Sequence, residues 1–91
     1  MKKDQVLIEA ANLINGERSK DYGPIMLNHR RIAAGWEVIL GVGVTPQQVA
    51  MCMAWLKIAR LIHSDNHLDS YVDAVAYMAI AGELATEPDT V

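Results

Sequence analysis

The sequence predicts an all-α fold built from four helices, and three observations predict it. Apolar residues recur at spacings of three and four along most of the 91-residue chain. No segment alternates apolar and polar residues for long enough to make a half-buried strand. Glycine, proline and short polar runs fall where one helical pattern stops and the next begins. The composition agrees: 52% apolar against 21% charged residues suits a packed domain rather than a disordered chain. A chain this short has room for one core, so residues 1–91 read as a single helical domain.

Each element has its own signal. Val6, Leu7, Ala10, Ala11, Leu13 and Ile14 define helix one, about residues 4–15, with Gly16 as its stop. Glu17 to Pro24 is charged, contains Tyr22 and ends in Gly-Pro, which reads as an ordered loop. Helix two, about 24–40, carries Leu27, Ile32, Trp36, Ile39 and Leu40 and closes at Gly41-Val42-Gly43-Val44. Thr45 is the N-cap of helix three, Pro46 its first residue, and Gln48 completes a capping box. Helix three, about 46–63, is apolar nearly all round, which predicts a central position. Ser64-Asp65-Asn66 is a turn, and helix four, about 67–84, follows with Val72, Val75, Ala76, Met78, Ala79 and Ala81 inside. Residues 87–91 are expected to be a disordered tail. Helices three and four are joined by a short turn and should form the central antiparallel hairpin.

Charge and composition exclude several functions. Eight basic against eleven acidic residues give a formal charge of −3, so general nucleic-acid binding is not expected. No apolar run is long enough to span a bilayer, and the N-terminus lacks the pattern of a signal peptide. Cys52 alone cannot form an internal disulfide, which fits the cytoplasm, and its place on an apolar helix predicts a buried thiol. There is no Gly-x-x-x-x-Gly-Lys-Ser/Thr loop and no Gly-x-Ser-x-Gly elbow. His63 and His67 bracket a turn without further zinc ligands and read as surface or capping residues. The mean hydropathy of +0.11 is high for a small monomer and predicts a homodimer, or two dimers making a tetramer.

The informative residues are polar groups on apolar helices. Lys57 and Arg60 share one face of helix three, and Asp69, Asp73 and Tyr77 form a stripe on helix four. Across the hairpin the two cations can face the two acids. A structural ion-pair ladder would explain them, but buried pairs contribute little net stability, which favours a polar site. The second cluster is Arg18, Lys20, Asp21, Tyr22, Asn28, His29 and Arg31. Cations beside a helix N-terminus suit phosphate, and Tyr22 can stack on a base; a solvated loop is the competing reading.

Four stretches together resemble a known family. They are Glu17-Arg-Ser-Lys-Asp-Tyr-Gly23, Asn28-His29 with Ile32 and Trp36, Val49 to Arg60, and His67 to Tyr77. This combination, spanning about residues 5–85, is similar to the MazG-like proteins of phages and prophages. The resemblance implies an oligomeric helical bundle that cleaves nucleoside triphosphates to monophosphate and pyrophosphate using Mg²⁺. It places Asp69 and Asp73 as metal-holding and catalytic residues. Lys57, Arg60, Arg18, Lys20, Tyr22, Asn28, His29 and Tyr77 become substrate-binding residues. The chain departs from the pattern at two places. Ser70 stands where the family has Glu, and Lys57 and Arg60 occupy the stretch where the family has its acidic set. Cations there repel a metal and bind phosphate directly. Glu9 or Glu37 is the remaining source of a carboxylate. The Leu56-Lys57-x-x-Arg60 hairpin is also similar to podophage nucleotide kinases that act without a metal. The readings are therefore a (d)NTP pyrophosphohydrolase, a non-hydrolytic nucleotide-sequestering protein, a metal-independent kinase, or a purely structural oligomer.

Overall fold

The computed structural model describes residues 1–16 and 24–87, and among these every regular element is a helix. They are α1 (Lys3–Asn15), α2 (Ile25–Leu40), α3 (Pro46–His63) and α4 (Leu68–Thr86). The caps account for their ends. Thr45 closes a capping box at the start of α3: its hydroxyl accepts from the Gln48 backbone N–H at 3.2 Å. The Thr45 N–H in turn donates to the Gln48 side chain at 2.9 Å. Gly41 ends α2 in the left-handed region at φ 71°, with its N–H donating to the Glu37 carbonyl at 2.9 Å. Gly16 follows α1 with extended backbone; a Cβ there would lie 2.8 Å from the Asn12 carbonyl oxygen. The close approach of the last turn, not a positive φ, therefore requires glycine.

The hairpin of α3 and α4 is the most extensive packing, as the short turn at 64–67 predicts. The central element, however, is α4. It touches all three other helices, whereas α1 packs on α4 alone. Its small residues explain this. Ser70, Ala76 and Ala81 are buried together with Ile80 and let neighbours approach from several sides. The core proper joins Ala50, Ile80 and Ala81 to half-buried Ile14, Ile25, Met26, Tyr77 and Leu84.

Helix α3 differs from expectation. It buries Val49, Ala50 and Ala54 against the bundle and leaves much of its circumference in solvent. Cys52, expected to be buried, is exposed on that outer side. The cause is geometric: α2 and α4 both approach α3 from one direction, and no described helix covers the other. Ile39 and Leu40, assigned to the apolar stripe of α2, are likewise exposed because the last turn of that helix runs past the core. Met78 and Ala79 of α4, expected inside, are also exposed.

Candidate functional site

The alternation of faces on the hairpin places Lys57 and Asp73 opposite each other. Their Nζ and Oδ2 atoms are 3.0 Å apart, and the side chains are 19% and 24% exposed. This is an intermediate setting, neither a surface pair nor a fully desolvated one. The pair ties α3 to α4 within two turns of the loop that joins them. Arg60, one turn further along α3, is exposed, as is Asp69, one turn before Asp73. Those two make no ion pair with each other among the described residues.

Asp69 and Asp73 open onto a cleft of about 610 Å³ between α1 and α4, where Glu9, Asn12 and Leu13 form the opposite wall. Three carboxylates from two helices thus share one concavity, and one of them is neutralised by Lys57. Glu9 was legible in principle, because it lies at i+3 from Val6 and i−4 from Leu13, on the side of α1 that packs inward. Glu37, the other acid considered, is occupied elsewhere: its carboxylate accepts the Val44 N–H at 2.9 Å and closes the turn before α3.

The arrangement does not by itself suit Mg²⁺. Among the described residues no three His, Cys, Asp or Glu converge closely enough to hold a metal ion. One of the two predicted ligands, Asp73, already carries a cationic partner. Octahedral Mg²⁺ needs convergent oxygens, and an ammonium 3.0 Å from one of them opposes it.

The other predicted contacts are distributed differently. His29 is 6% exposed, and its Nδ1 lies 2.9 Å from the Ile25 carbonyl oxygen, which fixes Nδ1 as the donor. Its Nε2 is buried with no hydrogen-bond partner among the described residues. The ring meets Tyr77 edge-on at 6.5 Å between centroids and 61° between planes. His29 and Tyr77 therefore belong to the packing of α2 on α4, one turn along from Asp73. Asn28 beside them is half-buried. Arg18, Lys20, Asp21 and Tyr22 lie outside the described residues, as do 88–91 of the expected tail. At the start of α4, His67 occupies the N-cap position, and its Nδ1 lies 2.7 Å from the hydroxyl of buried Ser70. That contact explains why a serine, and not a longer acid, fits at position 70.

Among the described residues no helix is long and apolar enough to cross a membrane. Comparison with known proteins points to phages. The chain is 39% identical over 85 residues to the Gene 55 protein of Mycobacterium phage L5, covering 92% of this chain and 54% of that protein. It is 34% identical over 85 residues to the Gene 55 protein of Mycobacterium phage D29, covering 93% and 56%. It thus spans about half the length of the curated relatives it matches. No solved structure matches it significantly. The family described as a domain of unknown function (DUF6378) matches residues 5–85, nearly the whole helical bundle, and the chain belongs to that family.

Proposed function

We propose that the chain is a phage-type, MazG-like nucleotide-binding protein of the cytoplasm, with (d)NTPs as its ligand class and pyrophosphohydrolysis as its activity. The observation that carries the reading is Lys57, a half-buried ammonium held by Asp73, whose carboxylate lines a cleft with Glu9, Asn12 and Asp69. A phosphate oxygen can take the place of the Asp73 carboxylate on Lys57, and Arg60 supplies a second cationic contact. Asp69 and the released Asp73 then accept hydrogen bonds from sugar hydroxyls or orient a water molecule. In the hydrolytic step that water attacks the α-phosphorus and a carboxylate takes its proton. The bond from the α-phosphorus to the bridging oxygen breaks, and pyrophosphate leaves. Asn28, His29 and Tyr77, with Arg18, Lys20 and Tyr22, complete the substrate-binding set of this reading. A homodimer or homotetramer is its expected assembly.

A second reading, binding without hydrolysis or phosphate transfer without a metal, is favoured by the two cations on α3 and by the lack of a convergent metal-ligand set among the described residues. One experiment separates them: melting of the protein against a nucleotide panel, with Mg²⁺ or with EDTA, alongside an assay of pyrophosphate release. A ligand at 100 times its Kd adds about 2.7 kcal/mol, a rise of about 10 °C or more for a domain of this size. A rise accompanied by pyrophosphate release supports the hydrolase. A rise without turnover supports sequestration, and transfer between nucleotides in EDTA supports the kinase. In each case Lys57→Gln removes the rise. No rise with any nucleotide overturns the nucleotide reading and leaves a structural oligomer.

A further inference from the structure

The cleft between α1 and α4 has two chemically distinct kinds of wall. Leu13 of α1 and Leu68 and Val72 of α4 are apolar, whereas Glu9, Asn12, Asp69 and Asp73 present oxygen acceptors. No lysine, arginine or histidine is among the described residues that line it. Its volume of about 610 Å³ is that of a small-molecule site. The carboxylates do not form a cage for a cation, because no three acids among the described residues come close enough to share one. Acceptors spaced apart over apolar walls suit a flat organic group that carries several N–H donors. They oppose phosphate, whose oxygens are acceptors too. A nucleotide held on Lys57 and Arg60 through its phosphates therefore has this cleft left for its nucleoside.

We propose that the α1 wall of this cleft reads the base, and that the base it selects is guanine. Glu9 and Asn12 lie three residues apart on one face of α1, with about 5–6 Å between their Cβ atoms. Glu9 is half-buried, and its Oε1 accepts from the Gln5 side-chain amide at 3.2 Å, which orients the carboxylate. That bond uses one of about four lone-pair sites, so both oxygens can still accept. A carboxylate thus offers two acceptors side by side. Guanine alone among the common bases answers with two adjacent donors, its N1–H and its 2-amino group. Adenine and cytosine set a ring-nitrogen lone pair beside their amino group, and uracil flanks its one N–H with two carbonyls. Each of these brings acceptor against acceptor. Asn12 completes the edge, since its amide N–H can donate to guanine O6, next to N1. The inference rests on the nucleotide reading above and names the base for that same cleft.

The test is calorimetric titration of the full chain, with Mg²⁺ present, against α,β-methylene nucleoside triphosphates, whose α–β bridge cannot be hydrolysed, and against tripolyphosphate. The guanine analogue is expected to bind about 5- to 150-fold more tightly than those of adenine, cytosine and uracil, the range of one bidentate contact. The hypoxanthine analogue, which lacks the 2-amino group, should fall between. Glu9→Gln replaces one acceptor by a donor with little change in size or helix propensity. It should lose the guanine preference and favour adenine, whose adjacent donor and acceptor match an amide. Asn12→Ala, at an exposed position of α1, should weaken the guanine and hypoxanthine analogues alike and leave the others unchanged. Both variants should keep the helical circular dichroism of the wild type. Equal affinity for every base overturns this inference alone. So does a guanine preference that Glu9→Gln leaves intact, or tripolyphosphate that binds as tightly as the guanine analogue. Binding of none of these ligands overturns the nucleotide reading itself, and the base assignment with it.

Discussion

Lys57 and Asp73 show how much a single contact can mean in a small helical hairpin. At 19% and 24% exposure the pair has lost most of its water but not all of it. A surface pair contributes at most about 1 kcal/mol, and breaking a fully buried one costs about 3–5 kcal/mol. Lys57→Ala and Asp73→Ala should each fall between those limits, at about 1–2 kcal/mol. The double variant should cost little more than either alone, since both singles leave one charge without its partner. Urea unfolding of the four proteins measures this. Additive losses would show that the two groups act independently and that the pair does not hold the hairpin. His29 is the opposite kind of residue. Among the described residues nothing pairs with its buried Nε2, so an apolar side chain of similar shape would pack against Tyr77 without an orphaned atom. Sequence could group Asn28, His29 and Tyr77 as polar interruptions of apolar stripes. It could not say that His29 lies inside, because a helix periodicity locates a face and not the depth of its neighbour.

At the scale of the element, legibility depended on whether the signal was local. The start of α3 was readable because a capping box is complete within four residues, Thr45 to Gln48. The end of α2 was readable because Gly41 is the residue that tolerates a φ of 71°. Thr45→Ala should therefore cost about 1 kcal/mol through lost capping. Gly41→Ala should cost about 1–2 kcal/mol through left-handed strain, although a methyl group there has open space around it. Calorimetric melting distinguishes the two from neutral surface changes, and a neutral Gly41→Ala would refute the strain argument. What remained illegible was which helix occupies the centre. An apolar circumference made α3 the natural choice, yet α4 took the place, because close approach on several sides needs small residues and α4 supplies Ser70, Ala76 and Ala81. The acidic cleft was half legible for the same reason. Asp69 and Asp73 share a stripe within one helix, but pairing them with Glu9 requires knowing that α1 packs on α4.

For the whole molecule, the alanine-built core poses a stability problem. A single chain of this length buries only about 60–65% of its unfolded surface, and here the buried side chains are mostly the smallest apolar ones. Removing a large side chain from water contributes about 1.5–3 kcal/mol, so Trp55, Ile58 and Ile62 represent stabilisation that one copy leaves unused. If that stabilisation is gained on association, folding and assembly are one equilibrium, and the melting temperature must rise with protein concentration by mass action. Each tenfold increase contributes about 1.4 kcal/mol per dimer, which for a folding unit of twice this length is about 3–6 °C. Scanning from 1 to 100 µM (roughly two decades in concentration) should thus raise the midpoint by about 6–11 °C. Trp55→Glu should flatten that dependence and lower the midpoint at the high end. A wild-type midpoint that does not move across the series would mean that the alanine core is sufficient in one copy and that the outer face of α3 contributes nothing to folding.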